Sequence, residues 1–101
     1  MTGGDRAEWV GPVLEAGDLA DAIIAAIRER HAEVEVEDHE SYLRILVRSR
    51  CVLSRPSVER QLGRPFRLPG DLEQVMPSFK GRLTMSGDEA VWVLGARGDG
   101  R

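Results

Sequence analysis

The stretch that decides the fold runs from residue 34 to residue 53 and reads VEVEDHESYLRILVRSRCVL. Val34 to Glu37 alternates strictly between apolar and acidic side chains, which predicts a half-buried strand. Asp38 to Ser41 is a polar break, and Tyr42 to Leu53 predicts one long strand. Because so short a connection joins them, the two strands are expected to pair antiparallel.

Helices flank this strand pair on both sides. Upstream, a helix is expected from Asp18, with one apolar stripe at helical spacing formed by Leu19, Ile23, Ala26 and Ile27. Downstream, Ser54 and Pro56 are typical of a second helix start, and Gly63 is typical of its C-terminal cap. A third, short helix is expected between Pro69 and Pro77.

Strands near the two ends complete the predicted order. Trp9 to Leu14 contains Gly11-Pro12, and because proline cannot donate to a strand ladder, this segment predicts an edge strand or an extended arm. Phe79 to Met85 alternates and predicts another strand, and Ala90 to Leu94 predicts the closing one. The order β-α-β-β-α-α-β-β predicts a small single-domain α+β fold with antiparallel sheets packed against helices.

The chain length of 101 residues fits one domain. Residues 1–8 are polar and contain glycine, so we expect a disordered N-terminal tail there. The ordered domain is expected over residues 9–95, with a frayed C-terminus over 96–101. No internal repeat or linker divides the chain.

Composition excludes several functional classes. No apolar run approaches the roughly 18 residues of a membrane span, and the N-terminus lacks the hydrophobic stretch of a signal peptide. Cys51 is the single cysteine and cannot form an internal disulfide, which favours a reducing, cytoplasmic setting. The net charge of −3 does not favour binding to nucleic acid. The arginine-rich stretch 44–67 contains only one aromatic residue, Phe66, whereas nucleic-acid binding would need several for base stacking.

Charge is distributed unevenly along the chain. Residues 29–40 are mostly acidic, whereas residues 44–67 contain seven arginines against one glutamate. Such a separation can orient a partner during encounter, but it is equally typical of two ordinary solvated faces. The sequence leaves both interpretations open.

No motif for catalysis is present. His31 and His39 lie eight residues apart without further cysteine or histidine ligands, whereas a metal site needs several converging ligands, so we expect two exposed histidines. Cys51 lies in a strand-like run and is interpreted as a packing residue rather than a nucleophile. Phosphate-binding and nucleophile-elbow motifs are also missing. We therefore expect no catalytic or metal site in this chain.

The segment Gln61-Leu62-Gly63-Arg64-Pro65-Phe66 resembles the Leu-Gly-Arg-x-Phe segment of the effector proteins of bacterial multicomponent diiron monooxygenases. These are also called coupling or regulatory proteins. The resemblance spans about residues 10–94, and the short tails place the chain nearer the toluene/alkene monooxygenase type than the methane type. Further similar stretches follow in the same order: Val10–Val13, Ala16–Leu19, Val34–Asp38, Tyr42 with Arg44-Ile45, Leu53 with Arg55 and Glu59, Leu72-Glu73, and Ser78-Phe79 with Gly81.

This resemblance implies a non-catalytic component that binds the large subunit of a diiron hydroxylase. It implies that binding tunes the active site of that subunit, its oxygen activation and its coupling efficiency during aromatic hydrocarbon or alkene oxidation. It also implies a chain without cofactor. The residues themselves argue against a nucleic-acid or membrane partner, and we expect the free chain to be monomeric. A small-molecule-binding regulatory α+β domain is the alternative, because similar element orders recur in such modules.

The resemblance also implies roles for individual residues. Hydroxylase contacts are expected in the loop before the last strands, at Pro77, Ser78, Phe79 and Lys80. Phe79 is in phase with Leu83 and Met85, so a core strand residue is the other interpretation of that position. Structural roles are implied for Gly63 as the helix cap, for Arg64, and for Phe66 as a core residue.

Overall fold

Strands and helices are mixed along the chain in the computed structural model, which describes residues 7–95. In chain order the elements of this range are β1 (Trp9–Glu15), α1 (Asp18–Arg30), β2 (Glu35–Asp38), β3 (Tyr42–Arg48), β4 (Arg50–Ser54), α2 (Arg55–Leu62), α3 (Gly70–Val75), β5 (Ser78–Lys80), β6 (Arg82–Met85) and β7 (Glu89–Val93). The tail predicted over residues 1–8 and the end predicted over 96–101 lie outside the described residues, except for Ala7 and Glu8, which directly precede β1.

The strands form two antiparallel sheets. One sheet has four strands in the order β2-β3-β1-β5, and the other has three in the order β4-β7-β6. β2 and β3 pair with Val36 opposite Ile45, which confirms the predicted antiparallel pair. The α+β fold class predicted from the sequence is therefore confirmed, with hairpins in both sheets.

Two strands that the sequence predicts as continuous are each divided between the sheets. The predicted strand from Tyr42 to Leu53 breaks at Ser49, where φ is 67°, so β3 lies in the four-stranded sheet and β4 in the three-stranded one. The predicted strand from Phe79 to Met85 breaks in the same way at Gly81, where φ is 108°. The predicted element order was wrong in these two places because apolar and polar side chains keep alternating across each bend.

β1 is an internal strand, between β3 and β5, so the prediction of an edge strand or extended arm is wrong. Pairing with β3 covers Trp9 and Val10 and resumes at Val13, leaving a gap in this ladder at Gly11 and Pro12. A Cβ atom at Gly11 would collide with the carbonyl oxygen of Ile45, so the two backbones approach closely at the gap. This gap lets an internal strand contain a proline, which has no N–H to donate.

The helices pack on the sheets to enclose one core. α1 contacts α2 and β4, and its inward face contains Ile23, Ala26 and Ile27, as the apolar stripe predicts. Leu19, the remaining residue of the predicted stripe, is only partly buried. The largest fully buried side chains include Trp92 and Phe66, and burying each such side chain contributes roughly 2–3 kcal/mol.

Local signals in the sequence set the helix ends. The Ser54 hydroxyl accepts a hydrogen bond from the backbone N–H of Ser57 at the start of α2. Gly63 ends the same helix with φ at 76°, and its N–H donates to the carbonyl oxygen of Glu59. α3 ends before Pro77, as predicted. No helix within residues 7–95 is long and apolar enough to cross a membrane.

Candidate functional site

The four predicted contact residues lie together in one surface groove with a volume of about 850 Å³. Pro77, Ser78, Phe79 and Lys80 form one side of this groove, at the exit of α3 and along β5. The other residues that line it come from β1 and β3 and from the loops at their ends: Val13, Glu15, Ala16, Ser41, Tyr42 and Arg44. Sheet pairing therefore assembles the groove from three neighbouring strands.

Phe79 is a surface residue with 43% of its area exposed, so the interpretation as a core strand residue is wrong. The bend at Gly81 places Phe79 in β5 of one sheet and Leu83 in β6 of the other, so the two do not share a face. Phe79 lies opposite Pro12 on the last strand of the four-stranded sheet. An exposed phenylalanine beside a groove is typical of a docking surface.

Tyr42 is a second exposed aromatic residue in the groove, which the sequence did not nominate. It is 40% exposed and lies opposite Glu15 in the β1–β3 pair. Strand alternation puts Tyr42 and Arg44 on the same face of β3, which is the signal in the sequence that could have found it. Among the described residues the exposed large hydrophobic side chains are Tyr42, Phe79 and Leu94, and two of these line the groove.

The groove combines these two rings with charged side chains. Arg44 on β3 and Lys80 on β5 are half-buried, and Glu15 at the end of β1 is exposed. Exposed aromatic rings with an arginine nearby are enriched in protein interfaces relative to other surfaces. The arrangement suits recognition of another protein, and it places no histidine or cysteine in the groove for acid–base or nucleophilic chemistry.

The residues predicted to be structural lie outside the groove. Phe66 is 1% exposed and belongs to the core, and Gly63 has a φ of 76° at the end of α2. Arg64 is exposed on the surface, and its structural role stays a prediction.

Arg55 and Glu59 bind the ends of α2 to other parts of the fold. The Glu59 carboxylate accepts hydrogen bonds from the backbone N–H of Phe66 and from the Arg55 guanidinium, both at 2.9 Å. Arg55 also donates to Asp88 at 2.9 Å and to the Gly87 carbonyl at 3.0 Å, in the turn before β7. The hydrogen bond from Phe66, followed by the interaction with Arg55, lowers the pKa of Glu59.

Several arginines of the basic stretch pair with carboxylates of the same chain. Arg48 lies 3.3 Å from Glu8, and Arg60 lies 2.7 Å from Glu29, which joins α2 to α1. Arg55 forms two further ion pairs, with Glu59 on α2 and with Asp88 in the turn before β7. These arginines are paired with carboxylates within the chain, so the basic stretch does not form one uninterrupted basic surface.

His31 and Cys51 are both held within the fold. His31 is half-buried, so the expectation of two exposed histidines is wrong for this residue and right for His39. The Nε2 atom of His31 accepts a hydrogen bond from the backbone N–H of Val52 at 2.9 Å. Burial, with Arg30 and Arg50 nearby, lowers the pKa of His31.

Cys51 is fully buried, and burial raises the pKa of its thiol to about 12, so its predicted packing role is confirmed. The described residues contain no group of three or more histidine, cysteine, aspartate or glutamate side chains that could hold a metal ion.

Fold and groove together define a small α+β binding domain. A sequence profile of the MmoB/DmpM family matches residues 8–93. The chain is also 46% identical over 85 residues to the effector subunit of the alkene monooxygenase system of Xanthobacter autotrophicus strain Py2, covering 82% of this chain and 83% of that protein. The chain belongs to the MmoB/DmpM family, which confirms the predicted resemblance to monooxygenase effector proteins.

Effector proteins are non-catalytic components of monooxygenase systems. Because the chain belongs to this family, the effector function is supported over the alternative of a small-molecule-binding regulatory domain.

Solved structures of regulatory proteins share the fold. A chain in a structure of a phenol hydroxylase–regulatory protein complex matches with a TM-score of 0.76 at 21% identity, covering 86% of this chain and 99% of that one. The regulatory protein B of soluble methane monooxygenase matches with a TM-score of 0.66 at 24% identity, covering 93% of this chain and 70% of that one. At these identities the similarity establishes the α+β fold alone.

Proposed function

We propose that this chain binds the large subunit of a diiron hydroxylase and tunes its active site, its oxygen activation and its coupling of electron use to product. The observation that carries the proposal is the groove, in which Tyr42 is exposed together with Phe79, one of the residues that the family resemblance implies as contacts. Exposed aromatic rings gain free energy when a partner covers them, and they are frequent among the residues that dominate binding.

The effect on chemistry follows from linkage. An effector without catalytic groups changes the reaction in its partner only by binding one conformation of that partner more tightly than another. The surface offered by the groove would therefore fit one state of the hydroxylase better than the other. A coupling free energy of about 1–3 kcal/mol between effector binding and that state changes its population by roughly 5- to 150-fold.

The hydrocarbon class follows from the relatives. The alkene monooxygenase effector subunit at 46% identity supports a hydroxylase that oxidises an alkene, and an aromatic hydrocarbon is the second candidate within the toluene/alkene type.

The contacts proposed in this interface are Pro77, Ser78, Phe79 and Lys80. The proposed location is the cytoplasm, supported by the single, buried thiol of Cys51.

Reconstitution tests the proposal. Purified chain is mixed with an alkene or toluene diiron hydroxylase, its ferredoxin and its reductase, and product is measured per NADH consumed. We expect several-fold more product per NADH with the chain, reaching a plateau near one chain per hydroxylase active site. Identical rate, coupling and regiochemistry with and without the chain would remove the proposal.

A further inference from the structure

His39 and Tyr42 face each other at the closed end of the β2–β3 hairpin. The register that places Asp38 opposite Leu43 places His39 opposite Tyr42, and the His39 N–H donates to the Tyr42 carbonyl oxygen at 2.9 Å. Directly opposed residues of an antiparallel pair extend to the same side of the sheet. Their rings are stacked, with 4.7 Å between centroids and an angle of 16° between planes.

Hydrogen bonds fix the backbone on which this stack stands. Ser41 N–H donates to the His39 carbonyl at 2.8 Å, and Glu40 N–H donates to the Asp38 carboxylate at 2.8 Å, closing the turn. Ala16 N–H then donates to the Ser41 carbonyl at 3.0 Å, which ties the turn to the end of β1. The hairpin end is exposed, and this hydrogen bond ties it to the edge of the groove, which Ala16 and Ser41 line.

Stacking on His39 restricts the rotation of the Tyr42 ring, which lines the groove. β3 and β5 lie on the two sides of β1, and Tyr42 on β3 and Phe79 on β5 both line the groove. An exposed tyrosine with no neighbour loses rotamer freedom when a partner covers it, which weakens binding. His39 covers the Tyr42 ring before binding, and Glu37 lies 3.4 Å from the His39 Nε2 atom.

We infer that His39 is a positioning residue for docking, which holds the Tyr42 ring of the groove in the orientation that the hydroxylase recognises. This inference rests on the proposed function. It extends the docking surface from the loop before β5 to the end of the β2–β3 hairpin, and it assigns recognition to Tyr42 and ring placement to His39.

The test compares three variants of the full chain at equal folded fraction, measured by thermal unfolding. His39→Ala removes the stack, His39→Phe keeps a planar ring without the imidazole nitrogens, and Glu37→Gln removes the carboxylate next to His39. Affinity for a diiron hydroxylase is measured by titration calorimetry, and the Tyr42 ring protons are followed by NMR in the free chain.

The stack predicts a specific pattern. His39→Ala is expected to weaken binding about threefold to tenfold and to shift the Tyr42 ring resonances, because the side-chain ordering is lost. His39→Phe is expected to restore binding to within about twofold of the original chain, and Glu37→Gln is expected to leave it within the same range, since stacking needs neither the imidazole nitrogens nor the carboxylate.

Three results would overturn the inference. Unchanged binding by His39→Ala, when the original chain binds, removes the inference and leaves the proposed function intact. Equal weakening by His39→Ala and His39→Phe assigns the effect to the imidazole nitrogens and rejects the stack. No binding by the original chain itself rejects the proposed function and this inference with it.

Discussion

The carboxylate of Glu59 accepts a hydrogen bond from the backbone N–H of Phe66, seven residues further along the chain. The same carboxylate binds Arg55 one turn earlier on α2, so a single side chain links the start of the helix to the segment after its end. Gly63 lies between them in the left-handed conformation and turns the chain toward the buried Phe66 ring. The Leu-Gly-Arg-x-Phe similarity therefore coincides with a local structural unit and not with the groove.

Replacing Glu59 by Ala is expected to lower the stability of the domain, because the Phe66 N–H and the Arg55 guanidinium both lose their acceptor. The measurement is urea unfolding at neutral pH, followed by tryptophan fluorescence. Glu73→Ala, which removes an exposed carboxylate from α3, is the matched control and should keep the original midpoint. Equal midpoints for both variants would contradict the structural role of Glu59.

The same carboxylate predicts a pH dependence. The pKa of Glu59 is lowered in the folded chain, so its contribution to stability is present above the ordinary carboxyl pKa and is lost as pH falls through the lowered folded value. The midpoint difference between the original chain and Glu59→Ala should therefore shrink on acidification. A difference that stays constant down to the acid limit of folding would argue against this linkage.

His31 predicts a second pH dependence, at higher pH. Its pKa is lowered by burial and by Arg30 and Arg50, so the unfolded chain binds a proton more readily than the folded one. Stability should decrease as pH falls below about 6.5, the ordinary histidine pKa, until the lowered folded pKa is passed. Thermal unfolding between neutral pH and mildly acidic pH measures this slope.

Two histidine variants assign the slope. His31→Gln keeps an acceptor for the Val52 N–H but carries no proton-dependent charge, so this part of the pH dependence should disappear. His39→Gln, which replaces an exposed histidine, is the matched control. If His31→Gln and the original chain keep the same slope between neutral and mildly acidic pH, the proposed protonation of His31 is not its source.

Cys51 is expected to be unreactive in the folded chain. Its burial raises the pKa of the thiol to about 12, so at mildly alkaline pH very little thiolate is present and the sulfur is covered. A chromogenic disulfide reagent should therefore react only at the rate at which the domain opens, and rapidly in concentrated urea. Rapid labelling of the folded chain would show that the site is accessible.

Local signals explain how much of the fold the sequence predicts. The Ser54 cap, the Gly63 cap and the stripe with Ile23 and Ile27 act within a few residues, and all three predicted helices form. The breaks at Ser49 and Gly81 depend on long-range pairing, since β4 pairs with β7 rather than with β2. Alternation along a strand is the same before and after such a bend, so it carries no sign of a change of sheet.

The groove was only partly predictable for a related reason. Phe79 and its three neighbours are contiguous in the sequence, so a family resemblance can indicate them together. Tyr42 reaches the groove only because β1 lies between β3 and β5. The sequence did not predict this strand order, because Pro12 made β1 resemble an edge strand. Residues far apart in the chain meet there through sheet order, which neither hydrophobic period nor turn chemistry specifies.

Gly81→Ala is expected to destabilise the domain by about 2 kcal/mol or more. Its φ of +108° is unfavourable for alanine, and an added Cβ would lie 2.7 Å from the Val93 carbonyl oxygen and 2.8 Å from Val10 Cγ1. Gly87→Ala is the control, because apart from its own chain neighbours no atom lies within 4 Å of the added Cβ, and its effect should stay within about 0.5 kcal/mol. Urea unfolding distinguishes the two, and equal effects would contradict the packing at the bend.

Docking through the groove is tested most directly by comparing two residues of equal exposure. Phe79 is 43% exposed and lines the groove, whereas Leu94 is 42% exposed and is not among the residues that line it. Both side chains can be truncated without opening the core, which the fully buried Trp92 would not allow. The measurement is the Kd of each variant for a diiron hydroxylase at equal folded fraction.

Phe79→Ala is expected to raise the Kd about tenfold or more, because truncating a central aromatic contact typically has effects of this size. Leu94→Ala is expected to stay within about twofold of the original chain. Binding of Phe79→Ala as tight as that of the original chain, or a larger loss from Leu94→Ala than from Phe79→Ala, would contradict docking through the groove.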